Sequence, residues 1–264
     1  MSHAVALDNR PADPQQALLA LYRAPPLDAL KAPAFGRPPV PAVRAAALAD
    51  RDVLAGYLQR FATGFSTPVD DKAVASIWSK FYLATVSIPA LVANLLLDVA
   101  LPAGPAEARL EFSERGQAAR LWLVDGGRPL ASRAPDTRFS ALFDQHCAPL
   151  IEALAALSGL SPRVFWSNLG HYVEYVARLC AQHPAFTGAG DALLAYLDMR
   201  VLSDGRRNPL YQPVRYLDVG AAQPARVRRV CCVKYRQGGE ALCGNCPLKT
   251  EHRPPRRAAK GESQ

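Results

Sequence analysis

The chain has 264 residues, of which 50% are apolar, and it carries a formal net charge of +8. A chain of this length and apolar content can bury a sizeable core and is typical of a globular protein. Four of the six cysteines fall within residues 231–246. This clustering favours a metal site over a secreted disulfide scaffold, in which the cysteines are spread along a shorter chain.

The first part of the chain predicts an irregular arm followed by helices. Residues 1–41 contain a helical segment at 14–23 and then a proline-rich run, which cannot hold regular structure for long. Apolar residues at helical spacing predict a helix over 42–61. Residues 69–100 are also helical in pattern, either as one helix or as two helices separated near Pro89.

Residues 81–97 contain no charged side chain, which raises the question of a membrane span. The stretch is shorter than the roughly 20 residues that cross a bilayer core, and Pro89 interrupts it. We therefore expect a buried core helix. The N-terminal residues 1–14 show no basic start followed by an apolar run, and we expect a cytoplasmic protein.

In the second part of the chain, the apolar pattern changes once from helical spacing to strand-like alternation and then returns to helical spacing. Alternating residues over 109–124 predict a β-hairpin, the one strand pair that the pattern supports clearly. The segment from 208 to 225 has a loop-like sequence. Helical patterns precede it at 139–157, 162–182 and 191–202.

These elements predict an α+β fold that is mainly α-helical, with a small β-hairpin or antiparallel sheet and a C-terminal cysteine-rich cluster-binding loop region. The expected organisation is an irregular N-terminal arm (1–41), a mainly helical body (42–225), a cluster-binding segment (226–252) and a flexible tail (253–264).

The four clustered cysteines, Cys231, Cys232, Cys243 and Cys246, form the pattern C-C-x10-C-x2-C. Thiolates at this spacing can bind zinc or an iron–sulfur cluster, and a redox disulfide or reactive thiols are a third alternative. The adjacent pair favours a cluster, because a single zinc ion usually takes its paired ligands at C-x2-4-C spacing. In the Cys-Gly-Asn-Cys-Pro half, the small residues let the backbone turn so that two sulfurs face one centre.

This ending, with arginines before it and Pro-Leu after it, resembles the FhuF-type ferric siderophore reductases. The resemblance covers roughly residues 69–249, with supporting matches at 77–82 (Ile-Trp-Ser-Lys-Phe-Tyr), 143–151 and 165–168. It implies a [2Fe–2S] cluster bound by Cys231, Cys232, Cys243 and Cys246, in a cytoplasmic protein that reduces Fe(III) held by a hydroxamate-type siderophore and releases Fe(II).

The same resemblance predicts the partners. The sequence has no dinucleotide-binding G-x-G-x-x-G motif, so electrons must come from an external donor such as a ferredoxin or a reductase. No nucleic acid partner is expected, and the basic charge leaves room for peripheral association with the inner membrane. A one-electron reduction requires no catalytic acid, base or nucleophile.

The competing functions are an iron–sulfur redox sensor or iron-handling protein, a zinc-stabilised binding module and, last, a siderophore synthetase.

Several other residues have an ordinary structural interpretation beside a functional one. We expect His146 and His171 to be hydrogen-bonded structural residues, and Cys147 and Cys180 to pack as small apolar side chains. Trp166 and Asn168 belong either to the core or to a substrate groove. The basic residues around the motif either tune the cluster and steer an anionic partner or form a solvated loop; they are Arg226, Arg228, Arg229, Lys234, Arg236 and Lys249.

Overall fold

The computed structural model describes residues 12–220 and 222–252 of the chain. The arm's first eleven residues and the tail predicted at 253–264 lie outside the described residues. Helices α1 to α7 and strands β1 to β8 are numbered in chain order.

The longest helix, α3 (Asp71–Leu97), forms the centre of the core. It begins where the carboxylate of Asp70 accepts a hydrogen bond from the N–H of Ala73, and it ends at Asp98, which has a left-handed backbone conformation. Pro89 lies inside the helix without ending it, so the one-helix alternative is correct. By length and composition α3 could cross a membrane, but 61% of its most apolar 18-residue window is buried inside the protein.

Helix α6 (Pro162–Ala181) packs along α3 and makes the most extensive helix–helix contact of the described residues. The hydroxyl of Ser161 caps its first turn, where Pro162 has no N–H that needs a partner. Apolar residues of both helices meet in one core, to which the remaining helices add: α1 (Pro14–Leu21), α2 (Arg51–Ala62), α4 (Pro135–Arg138), α5 (Ala148–Ser158) and α7 (Asp191–Asp198).

Two predicted helices are divided in the structure. The helix expected over 42–61 begins only at Arg51, because Asp50 accepts hydrogen bonds from the N–H groups of Asp52 and Val53 and so caps a new helix there. The helix expected over 139–157 contains a wide π-helical turn, Ala141–Cys147, before α5. Pro149 follows this turn and has no N–H to donate to the preceding turn.

The predicted hairpin forms the two central strands of a four-stranded sheet. Strands β4 (Arg109–Phe112) and β5 (Ala118–Leu123) pair antiparallel, as expected. The chain's first part supplies both edges, since β1 (Ala34–Phe35) pairs parallel to β5 and β2 (Val43–Arg44) pairs antiparallel to β4. A second, two-stranded sheet joins β3 (Val99–Ala100) to β6 (Arg128–Pro129).

The segment interpreted as loop contains a strand, and that prediction was wrong. Strand β7 (Val214–Leu217) pairs antiparallel with β8 (Ala225–Arg228). Arginines in both strands obscure the alternating pattern, and the pair is stabilised by packing onto α6, with Val227 fully buried. Because β8 ends just before the first clustered cysteine, this second hairpin delivers the cysteine segment to the ends of α3 and α6. The α+β, mainly helical fold class is confirmed.

The close approach of α6 to the residue before β7 gives a stability prediction. A Cβ atom at Gly170 would lie 2.5 Å from the Cβ of Pro213, whose ring is rigid. We expect Gly170→Ala to lower the free energy of unfolding by about 1–3 kcal/mol through overpacking. Urea denaturation measures this change.

The matched control is Gly56→Ala in α2, where a Cβ would meet no atom within 4 Å. There the gain in helix propensity should raise stability by up to about 1 kcal/mol. Equal effects of the two substitutions would contradict the packing argument.

Candidate metal centre

The four clustered cysteines lie together in the loops that follow β8, arranged as two pairs of sulfurs. The Sγ atoms of Cys231 and Cys246 are 3.9 Å apart, and those of Cys232 and Cys243 are 3.1 Å apart. Each half of the motif therefore contributes one sulfur to each pair, whereas the sequence suggested that Cys243 and Cys246 face one centre together. Cys231 and Cys232 are adjacent in the sequence and yet have different partners.

Backbone N–H groups point at the sulfurs of one pair. Val233 donates to the Sγ of Cys231 at 3.3 Å, and Leu248 donates to the Sγ of Cys246 at 3.5 Å. Val233 reaches this position with a φ of 52°, a left-handed conformation that is uncommon for a β-branched residue. The strained turn directly after the cysteine pair thus provides a donor that favours a thiolate.

Two serines on the main helices fix the backbone of the cysteine pair. Ser76 on α3 donates its hydroxyl to the carbonyl of Cys232 at 2.6 Å, and Ser167 on α6 donates to the carbonyl of Val230 at 3.0 Å. Both serines are buried. The loop is therefore held by two rigid helices as well as by its own turns.

Asn168 connects these helices to the loop. Its side-chain amide donates to the hydroxyls of Ser76 and Ser79, at 3.0 and 2.9 Å, and its carbonyl oxygen accepts from the guanidinium of Arg228 at 2.5 Å. Asn168 is fully buried, so of its two predicted locations, core or substrate groove, the structure shows the core. Trp166, also buried, belongs to the core as well.

Gln237 anchors the far side of the loop. Its carbonyl oxygen accepts from the N–H of Asp70 at 2.9 Å, and its amide donates to the carbonyl of Ser66 at 2.9 Å. The side chain is fully buried although the sequence around it is polar. The segment before α3 and the cysteine loop are therefore joined at this residue.

His171 supports the turn between the last two cysteines. Its Nδ1 accepts hydrogen bonds from Arg226 at 2.7 Å and from the side chain of Asn245 at 2.9 Å, so the proton of the neutral ring is on Nε2. Burial, followed by the charges of Arg226 and Arg228, lowers the pKa of His171 to about 3. The imidazole is thus a neutral hydrogen-bond acceptor at physiological pH.

Two cations lie inside the site without a carboxylate partner among the described residues. Lys80 on α3 places its Nζ 3.4 Å from the Sγ of Cys232 and 3.9 Å from that of Cys243. Arg228 is 1% exposed and bonds only to the neutral Ser167 and Asn168, and its Nε has no partner in the described part of the chain. Burial lowers the pKa of Arg228, and the neighbouring cysteines oppose that shift.

The remaining basic residues near the motif contact other groups. Arg229 bonds to Gln212, at 2.5 Å. The others form ion pairs: Arg226 with Glu174 at 2.6 Å, Arg236 with Asp70 at 2.8 Å, Lys249 with Glu251 at 3.4 Å, and Lys234 with Glu240.

The cysteines differ in acidity. Hydrogen bonds from Cys231 and Cys243, then the charges of Lys80 and Arg228, lower the pKa of Cys232. The same hydrogen bonds raise the pKa of Cys231 and Cys243. The charges of Lys80 and Arg228 therefore favour the thiolate form of Cys232.

The other cysteines and the second histidine are structural. Burial raises the pKa of Cys180 to about 12 and also raises that of Cys147, and both thiols lie in the core. His146 accepts from the hydroxyl of Tyr82 at 2.8 Å and donates to the carbonyl of Ala103 at 2.6 Å. These contacts agree with the structural interpretation of all three residues.

The donor set fits a two-metal cluster. A tetrahedral metal with bonds of about 2.3 Å holds two sulfurs about 3.8 Å apart. The Cys231–Cys246 separation of 3.9 Å is close to this value, and the Cys232–Cys243 pair, at 3.1 Å, is closer together. Soft thiolates, backbone donors and two cations suit an anionic iron–sulfur group. No three His, Cys, Asp or Glu side chains in residues 12–220 and 222–252 are grouped around one ion position.

Sequence reasoning missed Lys80, Ser76 and Gln237 as parts of this site. Residues 77–82 resemble the corresponding sequence of the family, but nothing in the sequence indicates that Lys80 faces Cys232, 152 residues later. The recognisable signal was local, whereas these contacts depend on the tertiary fold.

Comparison with known proteins bears on the fold and on this segment. Aerobactin synthetase IucC from a hypervirulent pathotype of Klebsiella pneumoniae is similar in structure, with a TM-score of 0.51 and 17% sequence identity. The likeness covers 66% of this chain and 36% of the synthetase, and it concerns the fold alone. A ferric siderophore reductase of Escherichia coli strain K12 is 28% identical over 181 residues, which are 68% of this chain and 67% of the relative.

Two family models match successive parts of the chain. Residues 76–223 match the model described as ferric iron reductase FhuF-like transporter, and residues 228–248 match the FhuF 2Fe-2S C-terminal domain. The second match contains all four clustered cysteines and identifies the cofactor as a [2Fe–2S] cluster. The resemblance seen in the sequence is confirmed, and the chain belongs to the FhuF family of ferric iron reductase-like proteins.

Proposed function

We propose that this protein is an oxidoreductase that reduces Fe(III) bound to a siderophore, and that Cys231, Cys232, Cys243 and Cys246 hold its [2Fe–2S] cluster. The observation that carries the proposal is the two pairs of sulfurs with adjacent N–H donors and cations, in a segment that matches a 2Fe-2S domain. The similarity to the ferric siderophore reductase supports the substrate class.

The protein's own residues hold and insulate the cofactor. Ser76 and Ser167 fix the loop backbone. Asn168 bonds to Ser76 and Arg228, and Arg228 in turn bonds to Ser167. Rigid positioning of this kind keeps the ligand geometry similar in both oxidation states. When bound, a [2Fe–2S] cluster supplies one electron at a time.

The substrate side of the reaction explains why one electron is sufficient. Fe(III) is a hard cation that prefers the oxygen ligands of a hydroxamate siderophore, and Fe(II) suits them less well. Adding one electron to the ferric complex therefore weakens it until Fe(II) leaves. No bond to carbon is broken, and no residue of the site has to transfer a proton.

The accessible edge of the site sets where partners approach. Cys231 and Cys243 are half-buried, whereas Cys232 and Cys246 are each 2% exposed. The side chains of Tyr235 and Leu242, which lie between Cys232 and Cys243 in the sequence, are exposed. A ferric siderophore and an electron donor would both reach the cofactor most closely through the surface around Cys231 and Cys243.

The electron donor is a separate protein such as a ferredoxin or a reductase, because the sequence has no nicotinamide-binding motif. The cytoplasm suits the protein, since its reducing conditions keep the ligand thiols available for cluster assembly. A net charge of +8 is compatible with peripheral contact with the anionic inner membrane, where imported siderophores arrive.

The ligand set can be tested one cysteine at a time. Serine in place of Cys231, Cys232, Cys243 or Cys246 should abolish or strongly alter the visible and EPR spectra, because a hydroxyl is a poorer ligand to iron than a thiolate. Iron and acid-labile sulfide, expected at about two each per chain in the wild type, should fall in parallel.

The controls are Cys147→Ala and Cys180→Ala, which remove thiols buried in the core. Their spectra should equal that of the wild type even where stability falls. An unperturbed spectrum in any of the four serine variants would remove that cysteine from the ligand set.

The reaction can be tested with the chemically reduced protein under anaerobic conditions. Mixed with a ferric hydroxamate siderophore and an Fe(II) chelator, it should reoxidise and release Fe(II) stoichiometrically. The chelator drives the reaction because, for a one-electron couple, each tenfold drop in free Fe(II) shifts the balance by about 59 mV.

Ferric catecholate and ferric citrate serve as comparison substrates, and a small artificial acceptor shows that the reduced protein is competent. If the artificial acceptor oxidises the protein at once while every ferric siderophore leaves it reduced, the substrate assignment is wrong. A redox-sensor function would then explain the site better.

A further inference from the structure

The site's charges divide into two groups with different surroundings. The outer cations Lys234, Arg236 and Lys249 each have a carboxylate within ion-pair distance. Lys80 and Arg228 have none among the described residues; Lys80 lies against two of the cysteine sulfurs, and Arg228 is buried close enough for the cysteine charges to affect its pKa. A cation that is taken out of water without a carboxylate needs another anion. The ligand thiolates are that anion.

Lys80 contacts the sulfurs directly. Its Nζ is 3.4 Å from the Sγ of Cys232 and 3.9 Å from the Sγ of Cys243, so one ammonium group spans one of the two sulfur pairs. Arg228 is buried and is held by Ser167 and Asn168, with no hydrogen bond to a sulfur among the described residues. Lys80 is therefore the cation that directly contacts the ligands.

The fold fixes Lys80 in this position. Ser76 and Lys80 are four residues apart on α3 and so share one face of the helix. Ser76 bonds to the carbonyl of Cys232, and Lys80 contacts the sulfur of the same residue. The intervening turn is itself tied to α6, because Asn168 donates to the hydroxyl of Ser79. Lys80 cannot leave the sulfurs without a change of rotamer or a shift of α3.

We propose that Lys80 is a positioning residue that sets the reduction potential of the cluster by placing a positive charge on the Cys232–Cys243 sulfur pair. Reduction adds one negative charge to an already anionic group, and a nearby cation stabilises the reduced form more than the oxidised form. Hydrogen bonds to the ligand sulfurs act in the same direction. The inference rests on the ligand set proposed above.

The experiment is an anaerobic potentiometric titration of the full-length protein, monitored by EPR, on wild type and four variants. Lys80→Met removes the charge at similar length, and Lys80→Gln removes the charge but keeps a hydrogen-bond donor. Lys80→Arg restores the charge. Lys72→Met is the matched control, since Lys72 lies two turns earlier on the same helix, is exposed, and places its Cε near Gly159.

We expect the two neutral variants to be harder to reduce, with a change of about tenfold in the reduction equilibrium, which corresponds to about 59 mV for one electron. Lys80→Arg should lie much closer to the wild type, and Lys72→Met should coincide with it. A smaller shift in Lys80→Gln than in Lys80→Met would show that a hydrogen bond to the sulfurs contributes to the potential in addition to the charge. Equal shifts in the two variants would show that the charge alone is responsible, and either result supports the proposal.

Two results would overturn it. One is a wild-type potential in Lys80→Met and Lys80→Gln with iron and sulfide content intact. The other is loss of the cluster in both neutral variants, because Lys80 would then be needed for assembly and not for the potential. The titration contains no siderophore, so a failure here is distinct from a failure of the substrate assignment, and the cysteine variants test the ligand set separately.

Discussion

A single buried amide, that of Asn168, connects the two main helices to the cysteine loop. In an apolar core, an amide without hydrogen-bond partners costs a few kcal/mol, so the hydrogen bonds of Asn168 constrain where its neighbours can lie. It donates to the backbone and hydroxyl of Ser76 and to the hydroxyl of Ser79 on α3, and it accepts from Arg228 at the end of β8. The crossing of α3 and α6 and the start of the cysteine loop are thus one cooperative unit.

This unit explains how an irregular loop can hold the four cysteine side chains in fixed positions. The cysteines follow a short hairpin and have few regular backbone hydrogen bonds of their own. Rigidity comes instead from side chains on helices, because Ser76 and Ser167 reach the loop carbonyls and Gln237 inserts into the segment before α3. The positions of the sulfurs therefore depend on residues outside the loop, since a shift of either helix would move them.

The sequence was informative where the signal is local and uninformative where pairing is distant. The cysteine motif, the β4–β5 hairpin and the long helices follow from spacing and periodicity within short windows. Strands β7 and β8 did not, because their stability comes from each other and from α6. The division at Asp50 depends on one capping side chain. The contact of Ser76 with Cys232 joins residues 156 apart, and no single-sequence pattern encodes such a contact.

The structure also changes the meaning of the basic composition. A net charge of +8 suggested a field that could steer anionic partners, yet the cations beside the motif are mostly neutralised by nearby carboxylates. Within residues 12–220 and 222–252, Lys80 and Arg228 have no carboxylate partner; Arg228 is buried and Lys80 is half-buried, and salt screens such charges less than exposed ones. Surface charges act over about 10 Å at ordinary ionic strength, whereas Lys80 lies at contact distance from two sulfurs. The charge nearest to the sulfurs is therefore that of Lys80, and the effect proposed for it is a local one, on how readily the cofactor accepts an electron.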